Sequence, residues 1–440
     1  MNFSDAPIDS ASAARLHAEG LRLDLVDTAD TAAFSAWIRA ESRGFYDDEP
    51  SEKRLAYMLE HAAYRRTTGV WDESDAVGAE PVATVSTWET PLSLPGGSSI
   101  PVWAISAVTV APTHRRRGIA RNLLESELRT AHACGVPIAA LTASEATIYG
   151  RFGFAPSAFA SDVTIDTRRA RWAGPAASGR VRFTTREELH HSARAVFESA
   201  RRRHAGEIEA DDALWAETCA TDERSADKVK SLRAVRYDDA SGALQGFAIY
   251  RVTGGEDDFT VHTVEVQSLV AATDDAANGL WRFLLELDLV TAVKAYLRPV
   301  DDSVAWQLSD RRAVQSRPYD HLWLRVLDPV AALEARTYSA PIDLVLDVAD
   351  PNGFAEGRML LSVDESGAGT VTRLDADADV PADAAHLALS VNSLAALYLG
   401  ATPASTLVRA GTVLERRPGS AERADAAFRA AEAPLLSIWF

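Results

Sequence analysis

The sequence predicts three domains: α/β units at residues 1–165 and 166–319, followed by an α+β unit at residues 320–440. Three observations predict this order. An alternating β-branched run (Val108, Thr109, Val110), a stop at Pro112, an arginine-rich turn and a helical pattern from Ile119 to Ala131 read as strand, turn and helix. The same rhythm returns between Val264 and Glu286. From Asp320 onward, strand patterns run together and a helix follows them, without the alternation that crossovers require.

In the first unit, Leu21–Val26 is a short apolar strand and Thr28–Glu41 has helical spacing. Val82–Trp88 reads as a strand, Leu94-Pro-Gly-Gly-Ser-Ser99 as a turn, and Ile105–Val110 as the strand that feeds the arginine turn. The next helix puts Ile119, Ala120, Leu123, Leu124, Leu128 and Ala131 on one face, and Gly135 stops it. Ile138–Thr142 is a buried strand, and Ile148–Phe154 follows a short helical stretch.

The arginine turn carries chemistry. The first amides of a helix lack intrahelical acceptors, and the helix dipole favours an anion there. Arg115, Arg116 and Arg117 beside those amides, with Gly118 allowing close approach, make a receptor for a pyrophosphate. The spacing Arg115-x-x-Gly118-x-Ala120 resembles the (Gln/Arg)-x-x-Gly-x-(Gly/Ala) turn of GNAT acyltransferases, which hold the pyrophosphate of acetyl-CoA. It fits neither a Walker loop nor the three-glycine dinucleotide turn. A charged turn before an ordinary amphipathic helix is the plain alternative. The agreement of strand, Pro stop and helix outweighs it.

In the second unit, Val181–Thr184 is strand-like and Arg186–His204 is helical, with Leu189, Ala193, Val196 and Phe197 on one side. Leu244–Val252 and Phe259–Val270 alternate as strands. The repeat sets Gly279 on Gly118, Arg282 on Arg121 and Leu284-Leu-Glu286 on Leu123-Leu-Glu125. Arg115 and Arg116 become Ala276 and Ala277, while Thr113 and His114 become Asp274 and Asp275. A pyrophosphate would meet carboxylates there, so this copy is expected not to bind CoA. Arg201-Arg-Arg203 with His204 reads as a solvated helix end.

The third unit opens with a strand at Leu322–Leu327 and a short helix at Pro329–Arg336. Ile342–Val348, Gly357–Val363 and Gly369–Leu374 alternate as strands, and Ser390–Gly400 is a helix. The chain closes on Pro434-Leu-Leu-Ser-Ile-Trp-Phe440. An apolar end docks, and docking carries the α-carboxylate inward, where an unpaired charge is costly. Two readings stand for Phe440: a hydrophobic plug, or a general base that deprotonates an amine before it attacks a thioester. Tyr149 is the second candidate. A phenol there can protonate the departing thiolate, although a structural tyrosine would look the same.

Composition bounds the rest. A length of 440 residues suits roughly three domains of about 150 residues. A net charge of −18 argues against nucleic acid as the main partner and suits a cationic amine acceptor. Cys134 and Cys219 alone make neither a disulfide framework nor a zinc site, and the ten histidines show no metal-ligand spacing, so no metal is expected. With Asp5, Asp9 and Glu19 the start is no signal peptide, and no apolar run approaches ~20 residues. The cytoplasm is the expected compartment, with no membrane span.

Val110-Ala-Pro-Thr-His-Arg-Arg-Arg-Gly118, Ala143-Ser-Glu145, Ile148-Tyr-Gly-Arg-Phe-Gly153, Leu322-Trp-Leu-Arg325, Ala331-Ala-Leu-Glu-Ala-Arg336 and Leu397-Tyr-Leu-Gly400 resemble the enhanced intracellular survival (Eis) acetyltransferases. The resemblance implies two mixed-sheet GNAT-type domains in tandem, the second without a CoA site, and a third domain of the sterol carrier protein fold. It implies acetyl transfer from acetyl-CoA to primary amines of aminoglycosides, polyamines or lysine side chains, by a homohexamer built as a dimer of trimers. Acetyl-CoA would contact Val108, Thr109, Val110, the run Arg116, Arg117, Gly118, Ile119, Ala120 and Arg121, and Ser144 and Glu145. Tyr149 would be the acid and the Phe440 carboxylate the base. Phe45 and Asp47 match an aromatic-plus-acid pair of the acceptor pocket. Trp439 stands where an acid is usual, and Ala107 where an aromatic is, so acetyl transfer is better supported than aminoglycoside acceptance. The alternative is a non-catalytic lipid- or CoA-binding scaffold.

Overall fold

The computed structural model describes residues 3–75, 80–222, 231–256, 258–375 and 378–440. Twelve strands form one continuous sheet: β1 (Leu21–Leu25), β2 (Arg66–Asp72), β3 (Ala83–Ser93), β4 (Ser99–Val110), β5 (Ile138–Thr142), β6 (Ala155–Asp166), β7 (Arg180–Thr184), β8 (Leu232–Asp238), β9 (Leu244–Gly254), β10 (His262–Ala271), β11 (Val290–Arg298) and β12 (Val314–Val326). Their order is β1-β2-β3-β4-β5-β12-β6-β11-β10-β9-β8-β7. The two halves mirror each other. Each has three antiparallel strands, then a parallel pair (β4 with β5, β10 with β11), then a closing antiparallel strand. The closing strands are exchanged: β6 follows β5 in the chain but pairs with β11, and β12 follows β11 but pairs with β5.

That exchange corrects the expected start of the third unit at Asp320. Residues 322–326 belong to β12, in the large sheet between β5 and β6. Alternating burial marks a strand but does not say which edge it joins. The remaining strands, β13 (Ile342–Ala349), β14 (Gly357–Val363), β15 (Gly369–Leu374), β16 (Ala385–Ser390) and β17 (Val413–Glu415), form a separate sheet in the order β15-β14-β13-β16-β17. There β13 and β16 run parallel, so a crossover exists where none was expected. The β14–β15 hairpin supplies it instead of a helix, which the sequence pattern could not signal.

The helices follow local chemistry. Asp30, Ser51 and Thr273 accept backbone N–H bonds at the starts of the helices Thr31–Gly44, Glu52–His61 and Asp274–Leu285. The expected helix Arg186–His204 is two, Arg186–Ser192 and Arg194–Arg201. The Ser192 hydroxyl donates back to the Glu188 carbonyl at 2.8 Å, a bond that competes with helix continuation.

Two features fix the elements that carry the site. The helix Ile119–Ala133 buries Leu123, Leu124, Leu128 and Ala131 against the sheet, and among them stands a fully buried carboxylate, Glu127. Glu127 accepts from Thr87 Oγ1 at 3.0 Å and Trp103 Nε1 at 3.2 Å, and pairs with Arg66 at 3.4 Å. Removing one partner of such a network strands a buried charge, so the helix is pinned in register. The turn after Tyr149 is braced by neighbours from elsewhere. Arg325 on β12 donates to the Phe152 carbonyl (2.7 Å) and grips Asp350 with two bonds (2.7 and 2.8 Å), all buried. Asn392 donates to the carbonyls of Gly150 and Phe154, both at 2.8 Å.

Candidate active site

The site grows from a defect in β4. Thr84 pairs with Thr109 and Ser86 with Ser106, which leaves Ala107 and Val108 opposite Val85 alone. This is a β-bulge, and Ala107 takes φ +54° within it. On the other side, β4 pairs with β5 only at Val102–Ile138, Trp103–Ala139 and Ala104–Ala140. Beyond Ala104 the two strands part, leaving one edge of β4's far half without a strand partner among the described residues. Such an edge can bond an extended amide-bearing chain.

Residues 111–118 then lead into the helix. Arg116 (φ +66°) and Gly118 (φ +74°) are both left-handed, and Gly118 caps the helix with no side-chain acceptor on the first amides. Arg115 and Arg116 are exposed, whereas Ile119 is in the core and Ala120 is half-buried. Arg117 is engaged elsewhere. Its guanidinium bonds Asp72 at 3.1 Å and the Glu19 carbonyl at 2.7 Å, and His114 Nε2 reaches the same Asp72 oxygen at 3.1 Å. Bonds from Ser74, Arg117 and His114 hold the Asp72 carboxyl well below the usual carboxylate range. Arg117 is therefore the strut of the turn, a role the three-arginine pattern concealed. Arg121 lies on the exposed flank and pairs with Glu125 at 3.3 Å. Val108 and Val110 are half-buried, and the Thr109 hydroxyl is buried 2.6 Å from that of Thr84.

Beyond β5, Ser144 and Glu145 are exposed and the short helix Ala146–Tyr149 follows. Tyr149 is buried, with its ring edge against Phe154. Burial pushes the phenol's pKa up; a bond with the Ser144 hydroxyl opposes this and the Glu145 charge adds to it. The phenol stays protonated at neutral pH.

The chain end arrives at the same strand. Thr142, the last residue of β5, donates to the Phe440 main-chain oxygen at 2.8 Å, and the Phe440 ring packs edge-on to Trp88 at 5.6 Å. One step back, the His321 Nε2–H donates to the Ile438 carbonyl at 2.9 Å, and its ring meets Trp439 at 4.3 Å. Burial lowers the His321 pKa, consistent with a neutral ring.

Phe440 and Trp439 line a cavity of about 450 Å³, shared with Ala107, Phe45 and Asp47. Glu41 from the first unit and Glu217 and Asp222 from the central unit add carboxylates to its wall. Sequence reading missed both central-unit acids, because only the tertiary fold carries them to a pocket of the first unit. Arg65 also lines it, stacked 3.9 Å over Trp88, with its charge met by Asp211 at 2.6 Å. Arg54 also lines it, so the cavity joins an apolar wall to one that carries the carboxylates of Glu41, Asp47, Glu217 and Asp222 beside the guanidinium groups of Arg54 and Arg65. Burial and the nearby Asp222 push the Tyr57 hydroxyl on its rim up to about 12.

The central unit keeps the architecture and lacks the arginine turn. Only Ala272 and Thr273 separate β10 from its helix, and the Thr273 hydroxyl caps the Ala276 amide. Asp275 is occupied by Ser178 and by the Tyr237 hydroxyl. Gly279, set on Gly118 by the sequence register, lies inside the helix rather than at its start. The carboxylates are present as expected, but the loop itself is missing. Arg201 and His204, read as solvated, are not. Arg201 is buried beside Glu198 at 2.6 Å, and His204 faces Glu432 at 3.4 Å. Among the described residues no His, Cys, Asp and Glu cluster could hold a metal, and no helix is long and apolar enough to cross a membrane.

Comparison with known proteins agrees with this layout. Models of acetyltransferase (GNAT) domains match residues 26–157 and 206–326, and a sterol carrier protein domain model matches residues 329–437. An uncharacterized N-acetyltransferase of Streptomyces avermitilis is 35% identical over 407 residues, covering 90% of this chain and 94% of its own. The N-acetyltransferase Eis of Mycobacterium bovis is 33% identical over 367 residues, covering 81% and 85%. The crystal structure of Eis1 from Mycobacterium abscessus superposes with a TM-score of 0.78 at 27% identity, over 96% of this chain and all of that one. With two GNAT halves, a sterol carrier domain and relatives of this identity over most of its length, the chain belongs to the Eis family of N-acetyltransferases.

Proposed function

We propose that the protein transfers the acetyl group of acetyl-CoA directly to primary amines, with aminoglycosides, polyamines or lysine side chains as acceptors. The observation that carries this reading is the meeting of Phe440 with Thr142 at the mouth of the β4–β5 split, while Phe440 also lines the cavity whose wall carries Glu41, Asp47, Glu217 and Asp222. GNAT acetyltransferases use acetyl-CoA. In this reading Arg115, Arg116 and the free amides of Gly118–Ala120 hold its diphosphate, and the open edge of β4 at Val108–Val110 bonds its amide arm. Ser144 and Glu145 flank the thioester end.

The acceptor enters as an ammonium drawn by the carboxylates of that wall. The Phe440 carboxylate takes its proton, the freed nitrogen attacks the thioester carbonyl, and backbone N–H groups of β4 stabilise the oxyanion. The C–S bond breaks as Tyr149 gives its proton to the departing thiolate, and the second proton of the attacking nitrogen is lost to the Tyr149 phenolate by way of solvent, which restores the phenol. The products are the amide and CoA. Phe45 and Trp439 form the apolar side on which the body of the acceptor rests.

Deletion of Phe440 tests the assignment. The expected loss in kcat is about 10²- to 10⁴-fold, the range for a general base, with acetyl-CoA affinity unchanged by calorimetry. Normal turnover of the truncated enzyme would overturn it. A panel of aminoglycosides, polyamines and lysine peptides with product mass analysis identifies the acceptor.

A further inference from the structure

The central half retains a split between its parallel strands. β10 pairs with β11 as far as Val266–Ala295, and a bulge between Val266 and Ser268 follows. In the first half the equivalent split lies open beside the arginine turn. Here Arg298 at the end of β11 bridges it, donating to the Leu269 carbonyl of β10 at 3.0 Å. The small cavity beside the split is lined by residues 266–270, Tyr296 and Arg298, and by Ser437, Ile438 and Trp439 of the chain end.

The terminal segment is held mostly by the central unit on its way to the acceptor pocket. The amide of Ala433 donates to Asp301 at 2.8 Å, that of Leu435 to the Ala205 carbonyl at 2.8 Å, and that of Ser437 to Glu207 Oε2 at 3.0 Å. The segment passes so close over Gly206 that a Cβ there would stand 3.0 Å from the Leu435 oxygen. Glu207 is the deepest of these anchors, only 3% exposed. Its backbone is joined to the end of β3 by bonds with Ser93 at 2.8 and 2.9 Å. One residue therefore links the strand beside β4, the central unit and the chain end.

We propose that the central unit serves as the seat of the C-terminal segment, and that Glu207 is a positioning residue which, through Ser437, sets Trp439 and Phe440 in the acceptor pocket. The placement of the segment stands on its own. The consequence for turnover rests on the reading of Phe440 as the base. Removing the Glu207 oxygen leaves the Ser437 amide without its acceptor in a dry site, and the last residues are freed.

The test is hydrogen–deuterium exchange of the peptide spanning 433–440, alongside steady-state kinetics. Glu207→Ala is expected to speed exchange of that peptide and lower kcat about 10-fold or more, with the acetyl-CoA Kd unchanged. Glu207→Gln, which keeps an oxygen for the Ser437 amide, is expected to restore most of both. Ser437→Pro removes the same bond from its other end, and serves if Glu207→Ala does not fold. Faster exchange with unaltered kcat would uphold the seat and overturn the reading of Phe440 as base. Unchanged protection of 433–440 in both Glu207→Ala and Ser437→Pro would overturn the positioning role itself.

Discussion

The two halves of the large sheet carry the same strands, the same bulge and the same split, yet only one has a helix start open to an anion. The difference lies between strand and helix. In the first half residues 111–118 swing out, take left-handed turns at Arg116 and Gly118, and leave the first helical amides without a side-chain cap. In the second half Thr273 caps its helix at once, and Asp275 is spent on Ser178 and Tyr237. A shared fold thus supplies a scaffold, and a short loop decides whether the first helical amides are left without a side-chain cap.

The comparison can be broken at several points. The largest effect is expected at Tyr149, whose phenol has no counterpart assigned in the central half. Tyr149→Phe should lower kcat about 10²-fold or more with little change in acetyl-CoA affinity, read by steady-state kinetics and calorimetry. Retention of full kcat would remove it from the proton path. Next come the two glycines that the sequence sets in one register. Gly118 is needed for its backbone, since an added Cβ meets nothing nearer than Asn122 Nδ2 at 3.6 Å but φ is +74°. Gly279 is needed for space, since a Cβ would fall 2.5 Å from the Tyr237 ring. Gly118→Ala should weaken acetyl-CoA binding, whereas Gly279→Ala should cost about 1–3 kcal/mol of stability and leave binding alone.

A separate effect, on stability alone, concerns pH. Burial pushes the Glu207 carboxyl from 4.5 up to about 7. A raised folded value favours the protonated fold: the contribution is complete below pH 4.5 and is lost as pH rises to about 7. Relative to Glu207→Gln, the wild type should therefore lose roughly 2–4 kcal/mol between those limits. Parallel thermal melts across the range check this, and parallel curves with no divergence would refute it.

Much of this was legible in the chain. The arginine turn, its helix and the terminal aromatics are local patterns, and local patterns survive in sequence. What was hidden is what depends on a partner. Arg117 looked like a ligand arginine and is held by Asp72, a residue distant in sequence. Residues 322–326 looked like the start of a third unit and complete the first half. Glu127 interrupted an apolar stripe for a reason visible only when Thr87, Trp103 and Arg66 converge on it. Glu217 and Asp222 belong to one half by sequence and to the other's pocket by contact.

The central claim is that guanidinium groups and free amides at residues 115–120 hold a nucleotide thioester, and that the central half does not. Calorimetric titration of acetyl-CoA into the wild type and Arg116→Glu tests it most directly. The account predicts one site per chain in the wild type and an affinity lowered about 10- to 100-fold by the charge reversal. Two sites per chain, or a single site that Arg116→Glu leaves undiminished, would contradict it.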